Sequence, residues 1–186
     1  MVGVASETVS GLDEFNKAPA DRLRVELLAL TAAPAWADAL LAGRPYADRE
    51  ALLASSDELV QDLDVAQIDA ALAGHPRIGE RAAGRDEEAA GRDEEAAARS
   101  AKEQAAMSSA DACLQAAMAR GNADYERRFG RIYLVAAAGR SAEELLDLLH
   151  ARLDNDADIE LEVVRGELAR ITRLRLADLL TSEEDR

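Results

Sequence analysis

Apolar residues recur every three or four positions along most of this sequence, and Pro or Gly separates many of these segments from one another. Leu23, Leu27 and Leu30 show this spacing near the start, and residues 158–180 repeat it near the end. The period places apolar side chains on one face of an α-helix and does not match the alternation of a β-strand. Most of the apolar residues are Ala and Leu, which favour helices, whereas aromatic residues make up only 3%. The sequence therefore predicts an all-α fold.

The chain length predicts a single domain, residues 1–186, because 186 residues can bury one ordinary hydrophobic core. The apolar period and the capping residues predict about eight or nine helices in it. They are predicted at residues 11–18, 21–30, 35–41, 48–63, 64–74, 93–120, 122–138, 141–153 and 158–180. Gly121 is interpreted as the end of one helix and Asn122 as the cap of the next. Residues 132–135 also contain residue types typical of strands, so the sequence leaves their conformation open.

One charged segment repeats itself. The unit Ala-Ala-Gly-Arg-Asp-Glu-Glu occupies residues 82–88 and again residues 89–95. Such a combination of small and charged side chains buries almost no apolar surface. We therefore interpret residues 82–95 as a solvated, partly mobile spacer rather than as a binding tract.

The charge balance argues against some classes of partner. With 22 basic and 37 acidic residues, the formal net charge is −15. Such a surface repels nucleic-acid phosphates and anionic lipid headgroups, so we expect no nucleic-acid partner and no membrane partner. No stretch approaches the ~20 apolar residues that a membrane helix needs. A small anionic substrate remains compatible with this charge, because it responds to the local field rather than to the total.

Cysteine and histidine are too few for a disulfide framework or a zinc site. Cys113 is the single cysteine, and the two histidines, His75 and His150, lie far apart in the sequence. We therefore predict no metal site. Residues 1–10 lack the basic flank and the long apolar run of a signal peptide, so we expect a soluble cytoplasmic protein.

A turn around His75 is the first candidate for chemistry. Gly74 ends the preceding helical pattern, and Pro76 prevents that helix from continuing. An imidazole changes its charge near neutral pH, so His75 could act as a general acid or base. A histidine at a helix end can equally serve only as a capping or hydrogen-bonding residue, and the sequence leaves both roles open.

Two further polar groups fall on apolar helix faces. Ser100, Glu103 and Gln104 share one face of a predicted helix with core positions, and Arg175 falls on the apolar stripe of the last helix. A pocket-facing Glu103 could pair with Arg175, and a guanidinium there could hold a carbonyl or a carboxylate. The alternatives are a solvent-exposed Glu103 and an Arg175 that reaches solvent near the helix end.

Four motifs in this order resemble the family of 2-oxo-4-hydroxy-4-carboxy-5-ureidoimidazoline (OHCU) decarboxylases of purine breakdown. They are His75-Pro-Arg-Ile-Gly-Glu, Ser100-x-x-Glu103-Gln104, Asn122-x-x-Tyr125-x-x-x-Phe129-Gly130 and Ile171-x-x-Leu174-Arg175-Leu176. Shorter segments at Trp36, 44–46 and 152–153 are also similar to the family. The likeness extends from the helix of Phe15 to Arg175.

The resemblance implies an all-helical, homodimeric decarboxylase that uses no cofactor and forms (S)-allantoin and CO2. It assigns His75 as the catalytic proton donor and Glu103 and Arg175 as its partners in the pocket. It also assigns substrate contacts to Pro76, Ser100, Gln104 and the backbone of a later segment, which comprises Tyr133, Leu134, Val135, Ala136 and Ala137. The substrate would be the small ureidoimidazoline itself.

The sequence departs from the family pattern in two places. The tandem spacer lies between His75 and Glu103, and residues 131–132 read Arg-Ile where some members have an aromatic residue and proline. The C-terminal Glu-Glu-Asp-Arg is no peroxisomal address, so the resemblance points to a bacterial, cytoplasmic enzyme. The competing hypotheses are a non-catalytic helical binding or scaffold domain, with Glu103 and Arg175 as a structural ion pair, and a decarboxylase or lyase that acts on a related ureide.

Overall fold

The computed structural model describes residues 11–79 and 112–181, and this part of the chain contains eight helices and no strand. The helices are α1 Leu12–Lys17, α2 Ala20–Leu30, α3 Pro34–Ala42, α4 Arg49–Gln61, α5 Val65–Leu72, α6 Ala112–Phe129, α7 Ala142–Leu153 and α8 Ala157–Leu179. The all-α prediction is confirmed. Within the described ranges, no helix is long and apolar enough to cross a membrane. The spacer 82–95 and the motif at residues 100–104 lie outside the described residues.

The described chain divides into two compact units. One lies within Met1–Asp64 and Ala169–Arg186, and the other within Val65–Leu168. The single domain over residues 1–186 stays a prediction.

The first unit is built from α1 to α4 and the C-terminal part of α8. Its core holds the fully buried Phe15 and the tryptophan, Trp36, whose Nε1 donates a hydrogen bond to Ser56 Oγ at 3.1 Å. Asp48 caps α4, as the sequence predicts, by accepting a hydrogen bond from the backbone of Ala51. This hydrogen bond satisfies one of the amide groups that a helix start leaves unpaired.

In the second unit, α6 and α7 pack closely at a glycine. A Cβ atom added to Gly121 would lie 2.4 Å from Leu149 Cδ2, so any other residue would force the Leu149 side chain to move. The predicted helix boundary at Gly121 and Asn122 is wrong, because α6 runs through both residues to Phe129. Glycine in a helix costs roughly 1 kcal/mol, and here the packing against Leu149 accounts for its presence.

The predicted helix over residues 122–138 is also wrong beyond Phe129. Gly130 has φ of 70° and its backbone amide donates a hydrogen bond to the carbonyl of Glu126 at 2.8 Å, an ending that favours glycine. Residues 132–137 are then non-helical, and the five from Tyr133 onwards are buried. The next helix, α7, begins with the predicted capping box, in which Ser141 Oγ accepts a hydrogen bond from the Glu144 amide and the Glu144 carboxylate accepts one from the Ser141 amide.

Candidate active site

The imidazole of His75 is held at the end of α5. The His75 amide donates to the Leu72 carbonyl at 2.9 Å, and His75 Nδ1 lies 3.0 Å from the Ala71 carbonyl oxygen. A carbonyl only accepts hydrogen bonds, so Nδ1 carries a proton in this geometry. In the neutral ring the other nitrogen, Nε2, is therefore the basic one. The side chain is half-buried, as is that of the adjacent Pro76.

The residues after His75 are bound to one face of α6 by a hydrogen bond and an ion pair. Asn122 Nδ2 donates to the Ile78 carbonyl at 2.8 Å, and both residues are buried. One helical turn further along, the Glu126 carboxylate accepts from Arg77, with Nη2 at 3.0 Å from Oε2 and a second, shorter contact through Nε. The turn is thus held by one buried hydrogen bond and one forked ion pair.

Residues 133–137, the predicted backbone contacts, form a buried segment that side chains hold from several directions. Arg152 Nη1 donates to the Leu134 carbonyl at 2.7 Å, and the Ala136 amide donates to Glu167 Oε2 at 2.7 Å. Tyr133 contributes a third bond, from its hydroxyl to the carbonyl of Leu145 at 3.1 Å. Because the Ala136 amide already donates its hydrogen bond to Glu167, a ligand at this segment would have to bind other backbone groups.

A buried charge pair lies behind this segment. Arg152 is 7% exposed and Glu160 is 1% exposed, and Arg152 Nε donates to Glu160 Oε1 at 2.7 Å. The Tyr125 hydroxyl donates to the same carboxylate and accepts from Arg152 Nη2 at 3.1 Å, while Asn155 Nδ2 donates to Glu160 Oε2 at 2.7 Å. The guanidinium carbon also lies 4.8 Å from the centre of the Tyr133 ring, a cation–π distance.

Sequence reasoning missed this network. The resemblance included Arg152 but gave it no role, and no part of the sequence reasoning singled out Glu160. Arg152 lies in the last turn of α7 and Glu160 in the first turn of α8, so the pair bridges two helices and has no periodic signal within either one. A basic residue in the last turn of a helix usually interacts with the helix dipole at the surface, and so does an acidic residue in the first turn. Neither position by itself indicates a buried pair.

Burial also changes the titration of the tyrosines in the network. Burial of the phenol raises the pKa of Tyr133 from 10.0 to about 12, although the charge of Arg152 acts to lower it. Burial likewise raises the pKa of the Tyr125 hydroxyl. Both phenols therefore stay neutral hydrogen-bond donors at any physiological pH.

Raising the pH from about 10 to about 12 should destabilise the protein through Tyr133. In this range the unfolded chain releases the phenolic proton while the folded chain retains it, so the folded state holds more protons. The contribution of this tyrosine to the free energy of unfolding is fully present below pH 10. It is lost as the pH rises, by up to ~1.4 kcal/mol per pH unit. Melting temperatures of the parent and of Tyr133→Phe, measured across this range, should show a shallower fall in the variant; equal slopes would contradict the assignment.

The remaining predicted site residues fall into two groups. Arg175 lies on α8 in the first unit, is half-buried, and donates from Nη1 to the Leu30 carbonyl at 2.7 Å, at the C-terminal end of α2. Helix C-termini favour cations, and a guanidinium has five N–H donors, so this bond leaves capacity for other partners. Ser100, Glu103 and Gln104 lie outside the described residues. The convergence of His75, Glu103 and Arg175 therefore stays a prediction.

No metal-binding cluster of three or more His, Cys, Asp or Glu side chains occurs among residues 11–79 and 112–181. Cys113 is exposed. The arrangement in the second unit offers a half-buried imidazole of fixed tautomer and a buried, rigidly held backbone segment. These are parts that can orient a small polar molecule and transfer a proton to it.

The sequence and the fold both match known proteins. The family model for OHCU decarboxylase matches residues 16–177. A 2-oxo-4-hydroxy-4-carboxy-5-ureidoimidazoline decarboxylase of Amia calva is 34% identical over 147 residues, which are 79% of this chain and 81% of that protein. The uric acid degradation bifunctional protein TTL of Arabidopsis thaliana is 28% identical over 75% of this chain and 41% of its own length. A crystal structure of OHCU decarboxylase in the presence of (S)-allantoin superposes with a TM-score of 0.67 at 24% identity, over 83% of this chain and 96% of that one.

Proposed function

This chain belongs to the OHCU decarboxylase family, and from that premise we propose how its residues carry the reaction. The protein is a carboxy-lyase of urate degradation that converts OHCU to (S)-allantoin and CO2. The observation that carries this conclusion is the family match over residues 16–177, a range that includes His75, Glu103 and Arg175.

The substrate supplies its own electron sink. When the carboxylate leaves as CO2, the electron pair of the broken C–C bond enters the adjacent C=N system of the ring and gives an enol-like intermediate. A proton is then delivered to the neighbouring ring carbon, which bears the ureido group, while the hydroxyl on the carbon that lost CO2 gives up its proton and becomes the carbonyl. The enzyme is left with two tasks, which are to orient the substrate and to protonate the intermediate on one face. This chemistry needs no cofactor.

His75 is the proposed proton donor. Since Nδ1 hydrogen-bonds to the Ala71 carbonyl at 3.0 Å, the transferable proton belongs on Nε2. The imidazolium can give that proton up near neutral pH and return to the neutral tautomer that the Ala71 bond already stabilises. The fixed tautomer supports the role, because a single ring nitrogen then serves the reaction.

Arg175 and Glu103 are the proposed partners of His75 in the pocket. The guanidinium would hold ring or ureido carbonyls in a forked geometry, and the carboxylate would accept the ureido N–H groups. Pro76, Ser100, Gln104 and the segment 133–137 would complete the substrate contacts. The burial and firm anchoring of 133–137 support such a role, because a rigid backbone loses little entropy on binding.

We further propose that the enzyme is a cytoplasmic bacterial homodimer. Support comes from the family resemblance and from the acidic surface, which disfavours attachment to anionic membranes. Light scattering coupled to size-exclusion chromatography measures the oligomeric state directly.

Polarimetry with freshly made substrate tests the function. The unstable product of urate oxidation and hydrolysis is prepared enzymatically, and optical rotation is followed with and without the protein. We expect optically active (S)-allantoin to form faster with the protein than in its absence. No change in rate or in rotation would refute the proposed reaction, and a change only with other ureides would identify a related lyase instead.

A further inference from the structure

Helix α6 carries an asparagine that stability alone does not explain. Asn122 is 4% exposed and lies in the middle of the helix, where asparagine is a poor helix former. Its Oδ1 atom is buried and has no hydrogen-bond partner in the part of the chain that the structure describes. A buried acceptor without a partner lowers stability, because it loses its hydrogen bonds to water and gains none in the protein. Such a violation of the ordinary preferences is expected where a residue serves function.

The one hydrogen bond that the Asn122 side chain makes leads to the His75 turn. Nδ2 donates to the carbonyl of Ile78 at 2.8 Å, three residues after the imidazole. Glu126, four residues along and on the same helix face, pairs with Arg77. Asn122 and Glu126, one helical turn apart on α6, therefore bind two consecutive residues after His75. Asn122 binds the backbone of Ile78, and Glu126 binds the side chain of Arg77.

The same helix also reaches the other anchored part of the proposed site. Tyr125, three residues after Asn122, hydrogen-bonds within the pair formed by Arg152 and Glu160, and Arg152 holds the Leu134 carbonyl at 2.7 Å. The His75 turn and the segment 133–137 are thus both attached to one stretch of α6. A helix is stiff over such a short distance, so it fixes the spacing between them.

We propose that Asn122 is a positioning residue for the decarboxylation, which sets the His75 turn against α6 at a fixed distance from the segment 133–137. The proposal rests on the role of His75 in the proposed function. Asn122 acts through its hydrogen bond to the Ile78 carbonyl. Loss of its amide should let the turn shift, and a shift of about 1 Å in a reacting group can cost about 100-fold in rate.

The test uses Asn122→Ala with Asn16→Ala as the matched control. Asn16 Nδ2 also donates to a backbone carbonyl, that of Tyr46, at 3.0 Å, but in the first unit. We expect kcat of Asn122→Ala to fall about 10- to 100-fold while KM stays within about twofold, because the variant removes no group that is proposed to contact the substrate. Asn16→Ala should lower the melting temperature without this fall in kcat.

A second variant and a second readout keep the test decisive. Glu126→Gln weakens the ion pair with Arg77 at a partly exposed position, where the substitution does not endanger folding. This variant should also lower kcat and leave KM unchanged. Amide hydrogen exchange at His75 should quicken in both turn variants and not in Asn16→Ala. Exchange and kcat at parent levels in both turn variants would overturn the proposal. An inactive parent protein would refute the proposed function, and the exchange rates would still decide whether Asn122 holds the turn.

Discussion

His75→Ala should fold normally and lose roughly 100- to 10,000-fold in kcat for the formation of optically active allantoin. The reason is that the variant retains the substrate contacts but has no group to deliver the proton on one face. His75 is half-buried at a helix end, and its side chain contributes to the fold through a bond to the Ala71 carbonyl. Removing that one hydrogen bond costs only about 1 kcal/mol, so helix content should persist.

The matched control for this variant is His150→Ala. His150 is the other histidine, exposed in the last turn of α7. Its loss removes an imidazole from the protein without touching the proposed site, so kcat should stay at the parent value. Polarimetry gives the activity and far-ultraviolet circular dichroism gives the helix content. A fully active, folded His75→Ala would remove the imidazole from the mechanism.

Arg152→Met should lower the free energy of unfolding by roughly 3–5 kcal/mol, because it leaves the Glu160 carboxylate buried without its cation. Glu160 is 1% exposed and would retain only the tyrosine and asparagine donors. The Leu134 carbonyl also loses its guanidinium donor. We therefore expect a large fall in the urea midpoint, together with reduced activity because the segment 133–137 is no longer held.

Arg173→Met is the matched control for that stability measurement. Arg173 pairs with Glu50 and Asp57 at 2.7 Å, but the Glu50 side chain is 74% exposed. Exposed ion pairs contribute only about 0–1 kcal/mol, so the same substitution should have a small effect here. The double variant Arg152→Met/Glu160→Met should recover part of the lost stability, since no buried charge remains. Equal losses for Arg152→Met and Arg173→Met would contradict the account of the buried pair.

The helices could be predicted because their signals are local. Leu23, Leu27 and Leu30 are all buried as their spacing predicts, and the caps at Asp48 and Ser141 form as expected. Each of these features depends on residues within one or two turns of each other. Local patterns of this kind are visible in one sequence without knowledge of the rest of the fold.

The features that could not be predicted depend on distant partners. Gly121 reads locally as a helix end, yet it lies inside α6 because Leu149 on another helix packs against it. Residues 132–135 have no single local preference, and distant partners hold the segment, with Arg152 bonded to the Leu134 carbonyl and Glu167 to the adjacent Ala136 amide. Tertiary contacts override local propensity at such positions.

The proposed site also depends on residues that are distant in the sequence, and it is still harder to predict from local patterns. The turn at His75 was recognisable from Gly74 and Pro76, and the structure shows how Ala71 orients the ring. The pairing of this imidazole with Glu103 and Arg175 has no local signal, because the three residues are far apart in the chain. It follows from the family resemblance and stays a prediction.

A crystal structure of the protein with bound (S)-allantoin tests the central claim most directly, since it shows which side chains surround the ligand. The account predicts a single ligand whose polar atoms lie within hydrogen-bonding distance of His75, Glu103 and Arg175. Ligand bound elsewhere, or these three side chains directed to separate regions of solvent, would contradict it.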